Sequence, residues 1–190
     1  MVHTKILLAS KSPRRHEIFK LAGLDFDYVE SSYEEIIPGH ITISEEIPGW
    51  LAEQKAIHTD IDLKDSVLVT ADTLVFMDNR VLGKPIDAAQ ALEFLKALSG
   101  RMHRVISGVC LKTETETILI SDITNVYFRD LSTEELLYYI ETCKPFDKAG
   151  AYGAQDWIGI VGIEKIEGSY FNVMGFPMHK VYPVLQKLIK

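Results

Sequence analysis

The stretch from Lys5 to Arg15 constrains the fold more than any other part of the chain. It opens with a short apolar run, Ile6 to Ala9, which predicts a buried strand. Ser12 then suits the N-cap of a helix, and Pro13 suits its first position because the missing N–H of proline costs nothing there. The helix is expected to end at Gly23. The sequence thus predicts a strand, a tight turn and a helix in immediate succession.

Two arginines, Arg14 and Arg15, fall in the first turn of that predicted helix. A helix N-terminus already carries a partial charge of roughly +0.5, so cations there are unfavourable unless an anion lies between them. Together with Ser10, Lys11 and Ser12, the arginines indicate a binding site for phosphate or another polyanion. The alternative is a solvated basic turn on a surface helix.

The rest of the chain alternates predicted strands and helices. The strands are predicted at 26–31, 66–71 with an extended continuation to 77 and a return at 81–82, 105–112, 118–128 and 158–166. The helices are predicted at 48–59, 87–98, 132–143 and from 177 onward. This alternation around an antiparallel central pair predicts an α/β fold with a mixed sheet.

Composition excludes several classes of function. The 190 residues carry a formal net charge of −7, which argues against sequence-independent binding of nucleic acid. No apolar run reaches the roughly 18 residues that span a bilayer, so we expect no membrane association. Cys110 and Cys143 are far apart and are expected to be free thiols in a reducing cytoplasm. The P-loop, dinucleotide-binding and serine-hydrolase motifs are all missing from the sequence.

Asp72 is the strongest candidate for chemistry. It directly follows the predicted buried strand 66–71, and open α/β sheets place their ligands at the carboxyl ends of strands. A carboxylate there can hold Mg²⁺ or deprotonate a water molecule. The alternative is a turn in which the Asp72 side chain only accepts a hydrogen bond from the backbone of Leu74.

Other polar residues are candidates for the site only if they lie close to Asp72. Glu34 and Glu35 could complete a metal site, although paired glutamates in a loop are more often simply solvated. Lys55 and Lys84 could contact phosphate, and the alternative for each is an ordinary surface lysine. Gln155, in a segment rich in glycine and alanine, could bind a base edge or merely face water. The residues thus indicate a site for phosphate and a metal ion, with the substrate open.

Four motifs occur in order along the chain: Leu8–Arg15 (LASKSPRR), Ala71–Thr73 (ADT), Gly83–Pro85 (GKP) and Asp147–Gln155 (DKAGAYGAQ). In their order and spacing they resemble the Maf family of nucleoside triphosphate pyrophosphatases, over nearly the whole chain. The resemblance implies one domain over residues 1–190, in which a mixed twisted sheet flanked by helices forms two lobes around a central cleft. It is also compatible with a homodimer.

The same resemblance implies hydrolysis of a nucleoside triphosphate between the α- and β-phosphates, with Mg²⁺ or Mn²⁺ as cofactor. Asp72 is then expected to accept a proton from the attacking water, and Glu35 and Asp72 to hold the metal. The residues expected to contact phosphates are Ser10, Arg14, Arg15, Lys55 and Lys84. The positions associated with the choice of base are Arg14, Thr73 and Gln155.

The segment ending at Gln155 resembles the subgroup that acts on dTTP and UTP. Two alternatives stay open at the level of sequence. One is a pyrophosphatase that prefers 7-methyl-GTP or a damaged purine nucleotide, and the other is a nucleotide-binding regulator of cell division with little turnover. In each case the expected partner is a small nucleotide, with neither nucleic acid nor membrane.

Overall fold

The computed structural model describes residues 4–33, 45–78 and 80–189 of the chain. The strands in these ranges are β1 (Lys5–Ala9), β2 (Asp27–Tyr28), β3 (Ser66–Met77), β4 (Arg80–Leu82), β5 (Met102–Lys112), β6 (Thr117–Phe128) and β7 (Ile163–Glu167). The helices there are α1 (Pro13–Leu21), α2 (Ile47–Ile57), α3 (Ala88–Leu98), α4 (Thr133–Cys143), α5 (Trp157–Gly162), α6 (Tyr170–Val173) and α7 (Met178–Leu188).

Within the described ranges, these strands form one seven-stranded sheet in the order β2-β1-β3-β5-β6-β7, with β4 paired to β3. β1 runs parallel to both β2 and β3, whereas β4 is antiparallel to β3 and β7 is antiparallel to β6. The sheet is therefore mixed and flanked by helices, and the predicted α/β fold class is confirmed.

The chain divides into two compact units. The first comprises Met1–Asp72, Ser107–Asp122 and Gly175–Lys190, and the second comprises Thr73–Ile106 and Ile123–Met174. One apolar cluster of the first unit consists of Leu7, Ala9, Ala52, Ala56, Leu68 and Cys110. The core of the second unit includes Val75, Leu82, Leu95, Leu98, Val105, Val126, Phe128 and Tyr139.

A close backbone contact places α2 on the sheet in the first unit. A Cβ atom built on Gly108 of β5 would lie 2.2 Å from the backbone nitrogen of Gly49, in the first turn of α2. Glycine is therefore required at position 108 for the helix to approach this closely. The hydroxyl of Thr70 on β3 donates to the carbonyl of Ala52, which fixes the helix one turn further along.

The prediction of a strand over 158–166 is wrong in its first half. Residues Trp157–Gly162 form α5, and only Ile163–Glu167 form a strand. A short apolar run does not distinguish a buried strand from a buried helical turn. The helix is possible here because Gly159 leaves room for the carbonyl of Ala154, which would lie 2.1 Å from a Cβ at that position. The short helix α6 was also not predicted.

Two predicted helix starts differ in detail from the structure. Ser12 occupies the N-cap position of α1, but its side chain makes no capping hydrogen bond. At α3, Asp87 caps the helix by accepting from the backbone N–H of Gln90, but a reciprocal capping box does not form because the Gln90 amide oxygen accepts from the N–H of Ile86. The predicted strand over 26–31 is reduced to Asp27–Tyr28.

Candidate active site

Asp72 lies inside β3 and not at its end, which corrects the sequence-based prediction. The parallel ladder between β1 and β3 ends at the pair Ala9 and Thr70, and the antiparallel ladder with β4 begins at Val75. Asp72 therefore occupies the interval between these two ladders of β3. The carboxylate is buried in spite of its charge, so it needs a partner that compensates the loss of water.

That partner is Lys55 from α2. Its Nζ atom lies 2.7 Å from Oδ1 of Asp72, and the two side chains are only 10% and 7% exposed. The same Nζ atom also donates to the carbonyl of Ala71 at 3.3 Å. Removing either charge from such a pair leaves the other buried without compensation. The pair therefore holds an ionised carboxylate in a fixed position inside the protein.

Arg15 connects three segments of the first unit. Its Nη1 donates to Ser10 Oγ at 3.2 Å and to the carbonyl of Ala71 at 3.0 Å, while its Nε donates to the carbonyl of Gly175 at 2.9 Å. The carbonyl of Ala71 thus accepts from both Arg15 and Lys55. The predicted phosphate-binding arginine consequently presents a positive charge whose position is fixed by protein oxygens, directly beside the backbone of Asp72.

The turn that carries Ser10 is held by a second side chain of α1. The Nε2 atom of His16 donates to the carbonyl of Ser10 at 2.6 Å, and Ser10 Oγ accepts from the N–H of Ser12 at 3.2 Å. Ser10 is buried, and Arg14 is half-buried in the first turn of α1. The structure thus brings Ser10, Arg15, Lys55 and Asp72 into one hydrogen-bonded cluster, which we call the charge cluster.

Three further predicted residues, Thr73, Lys84 and Gln155, belong to the second unit. Thr73, half-buried, follows Asp72 directly in β3, and Lys84 is exposed. The carbonyl of Gly83 accepts from the N–H of Gly150 at 3.0 Å, so the Gly83–Pro85 motif adjoins the segment 148–156. Gly150 has a φ of 67°, and a Cβ there would lie 3.0 Å from the Val75 side chain. Glycine is therefore needed at this contact.

Gln155 lies in the segment 148–156, which we call the glutamine segment. The side-chain oxygen Oε1 is buried and accepts no hydrogen bond from any residue that the structure describes. A buried acceptor of this kind costs free energy unless a donor reaches it. Its environment therefore favours a ligand that carries an N–H group.

Two buried phenols anchor the glutamine segment. The hydroxyl of Tyr139 on α4 donates to Oδ2 of Asp156 at 2.9 Å and accepts from the N–H of Gly153 at 3.2 Å. The hydroxyl of Tyr152 is hydrogen-bonded to Nε2 of His103 at 2.7 Å. Burial lowers the pKa of His103 to about 3, so this imidazole is neutral in the folded protein at neutral pH.

These anchoring residues were not found by reasoning from the sequence. Tyr139 and Asp156 are 17 positions apart on separate elements, and no local spacing links them. His103 and Tyr152 are likewise linked by no local spacing, since their contact spans 49 positions. The nearest available signal was the concentration of glycine and alanine around Tyr152, which indicates close backbone approach but not its partner.

The carboxylate of Asp72 in the charge cluster fits a divalent cation that binds together with a phosphate. Among the residues that the structure describes, no group of three or more His, Cys, Asp or Glu side chains could hold a metal ion. Mg²⁺ is usually held by one or two carboxylates together with substrate phosphates and water. Asp72 suits that role, whereas Glu34 and Glu35 lie outside the described residues.

Comparison with known proteins gives one consistent result. The family described as Maf-like protein matches residues 5–188. The dTTP/UTP pyrophosphatase of Flavobacterium johnsoniae is 49% identical over 186 residues, which cover 97% of this chain and 95% of that protein. The proteins of the same name from Flavobacterium psychrophilum and Thermosipho africanus are 51% and 48% identical, each over 95% of this chain and 92% of their own length.

No helix in the described part of the chain is long and apolar enough to cross a membrane.

The family match extends through both compact units and includes all four motifs that the sequence presents in order. The chain therefore belongs to the Maf family.

Proposed function

We propose that this protein hydrolyses dTTP and UTP between the α- and β-phosphates, releasing the nucleoside monophosphate and pyrophosphate. The observation that carries the proposal is the buried ion pair between Lys55 and Asp72, at 2.7 Å. Relatives that share 48–51% of their residues with this chain and are named dTTP/UTP pyrophosphatases support the choice of reaction.

Asp72 is proposed as the proton acceptor for the attacking water. Lys55 orients the carboxylate through Oδ1, so the acceptor is in place before substrate arrives. Water supplies the oxygen that replaces the bridging oxygen, its proton passes to Asp72, and the pyrophosphate leaves with the electrons of the broken bond. A general base of this kind contributes about 10²–10⁴-fold to the rate.

Mg²⁺ or Mn²⁺ is proposed as the cofactor, held by Asp72 and Glu35. When bound, the cation neutralises part of the phosphate charge. The positive side chains proposed to bind the phosphates are Arg14, Arg15, Lys55 and Lys84, with the hydroxyl of Ser10. Charges that are already fixed stabilise the developing negative charge without reorganising during the reaction, and the three hydrogen bonds of Arg15 support this role.

Gln155 is proposed to bind the base, with Thr73 and Arg14 as further determinants. Uracil and thymine carry an N3–H donor between two carbonyl groups, and an amide side chain complements that pattern. The buried Oε1 of Gln155 supports this assignment, since it accepts no hydrogen bond within the described part of the chain. Cytosine has no proton on N3, so at that position it would present an acceptor to this oxygen instead of a donor.

We also propose that residues 1–190 act as one catalytic domain in the cytoplasm. The family match covers both compact units, which supports a single functional domain. The free thiols of Cys110 and Cys143 are suited to a reducing compartment.

Product analysis on a panel of nucleotides tests the proposal. The protein is incubated with dTTP, UTP, CTP, GTP and 7-methyl-GTP in the presence of Mg²⁺ or Mn²⁺, and pyrophosphate and orthophosphate are measured separately. We expect pyrophosphate from dTTP and UTP. Orthophosphate as the first product, or cleavage of the purine nucleotides alone, would contradict it. Tight nucleotide binding without turnover would instead support a regulator.

A further inference from the structure

We propose that Tyr139 and Asp156 are positioning residues that fix Gln155 for recognition of the base. The inference rests on the proposed function, because it takes Gln155 to contact the nucleobase. Neither residue belongs to the motifs by which the sequence resembles its family, and neither is proposed to touch the substrate.

The hydroxyl of Tyr139 joins the chain on both sides of Gln155. It accepts from the backbone N–H of Gly153, two residues before the glutamine, and donates to the carboxylate of Asp156, the next residue. Because Tyr139 is fully buried on α4, this hydroxyl has a fixed position. Both of its hydrogen bonds therefore tie the glutamine segment to the core of the second unit.

The carboxylate of Asp156 determines the shape of the turn. The N–H of Asp156 donates to the carbonyl of Gly153 at 3.1 Å, and a Cβ on Gly153 would lie 2.6 Å from Oδ2 of Asp156. The carboxylate thus fills the space above Gly153, so the backbone folds around it. Lys148 lies at the start of the same segment with Nζ 3.6 Å from Oδ2, which provides a partial counter-charge.

These contacts matter because Gln155 is not held in place through its own side-chain oxygen. Its Oε1 accepts none from the described residues, so the orientation of the amide depends on the backbone that carries it. Loosening that backbone would disturb recognition of the base while leaving Asp72 and Lys55 unchanged. Discrimination between bases should consequently be lost before the chemical step is affected.

The test compares Tyr139→Phe with Tyr138→Phe, which removes a hydroxyl from the adjacent, 51% exposed position of the same helix. Steady-state rates are measured with UTP, dTTP and CTP. For Tyr139→Phe we expect kcat/KM with UTP and dTTP to fall by up to about tenfold, mainly through KM. The rate with CTP should change little, so the preference for UTP over CTP collapses. Tyr138→Phe should match the wild type.

An equal loss with all three nucleotides, or no loss at all, would overturn the inference. If Tyr139→Phe does not fold, Asp156→Ala decides, because it removes the acceptor while leaving the buried ring in place. Asp156→Asn should retain part of the preference, since an amide oxygen can still accept from Tyr139. Failure of the proposed function is a separate result, namely that the wild type releases no pyrophosphate from UTP or dTTP.

Discussion

The charge cluster and the glutamine segment are held by different kinds of interaction. In the charge cluster, cations meet a buried carboxylate and backbone carbonyls, and the carbonyl of Ala71 accepts from both Lys55 and Arg15. In the glutamine segment, the anchors are the neutral hydroxyls of Tyr139 and Tyr152. Fixed charge suits the stabilisation of a polyphosphate, whereas neutral anchors suit the recognition of a base by its hydrogen-bonding pattern. The two regions should therefore respond differently to substitution.

The largest effect is expected at Asp72. Asp72→Asn keeps the shape of the side chain but removes the proton acceptor, so kcat should fall by about 10²–10⁴-fold. Nucleotide binding, measured by calorimetry, should persist. A matched control is Asp122→Asn, since Asp122 is also buried and pairs with a lysine, Lys180, at 2.6 Å. A comparable loss of kcat in the control would contradict a specific role for Asp72.

A second prediction concerns the stability of the charge cluster. Lys55→Met leaves the carboxylate of Asp72 buried beside an apolar side chain, so the free energy of unfolding should fall by about 3–5 kcal/mol. Combining it with Asp72→Asn should restore part of that loss, because the uncompensated charge is gone. Urea denaturation of both variants provides the measurement. If Lys55→Met alone is as stable as the wild type, the ion pair does not stabilise the fold.

The glutamine segment should instead be sensitive to acid through His103. Burial holds the pKa of this imidazole at about 3, against an ordinary value of 6.5. At pH values between about 3 and 6.5, His103 therefore binds a proton in the unfolded chain but not in the folded chain. The free energy of unfolding should therefore decrease as the pH falls below 6.5, by about 1.4 kcal/mol for each pH unit.

Urea denaturation across this range measures that slope in the wild type and in His103→Gln, which should lose it. Tyr152→Phe removes the hydrogen-bond partner but not the titrating group, so it should keep the slope. An unchanged slope in His103→Gln would show that other groups cause the acid sensitivity.

The smallest effect is expected at Gln155. Gln155→Ala removes one hydrogen bond to the base, so kcat/KM with UTP should fall by about tenfold, and CTP should become a comparable substrate. Competition between UTP and CTP in a single reaction measures the preference directly. A variant that keeps its preference for UTP would locate base selection elsewhere in the chain.

Local signals explain what the sequence predicted correctly. The helix predicted at 132–143 begins at a capping box of Ser132 and Glu135, whose side chains each accept from the other's backbone N–H, at 3.3 and 2.8 Å. The strand, turn and helix from Lys5 onward follow from an equally short pattern. In both cases the interactions that decide the structure lie within one helical turn, so the sequence alone reveals them.

Contacts between residues that are far apart in the chain explain what the sequence did not predict. Asp72 was placed at the end of a strand, but pairing with β4 extends β3 to Met77. The acceptors of Arg15 include Ala71 and Gly175, at separations of 56 and 160 residues. No periodicity or spacing encodes such partners, so the motif identified the arginine but not what holds it.

The contact between Arg15 and Gly175 has a consequence for the order of biosynthesis. Arg15 is translated 160 residues before Gly175, whose carbonyl accepts a hydrogen bond from its Nε. The hydrogen bonds that hold Arg15 can therefore be completed only after the chain has been translated through Gly175. A nascent chain that has not reached this glycine lacks one of the acceptors that fix the arginine beside the carbonyl of Ala71.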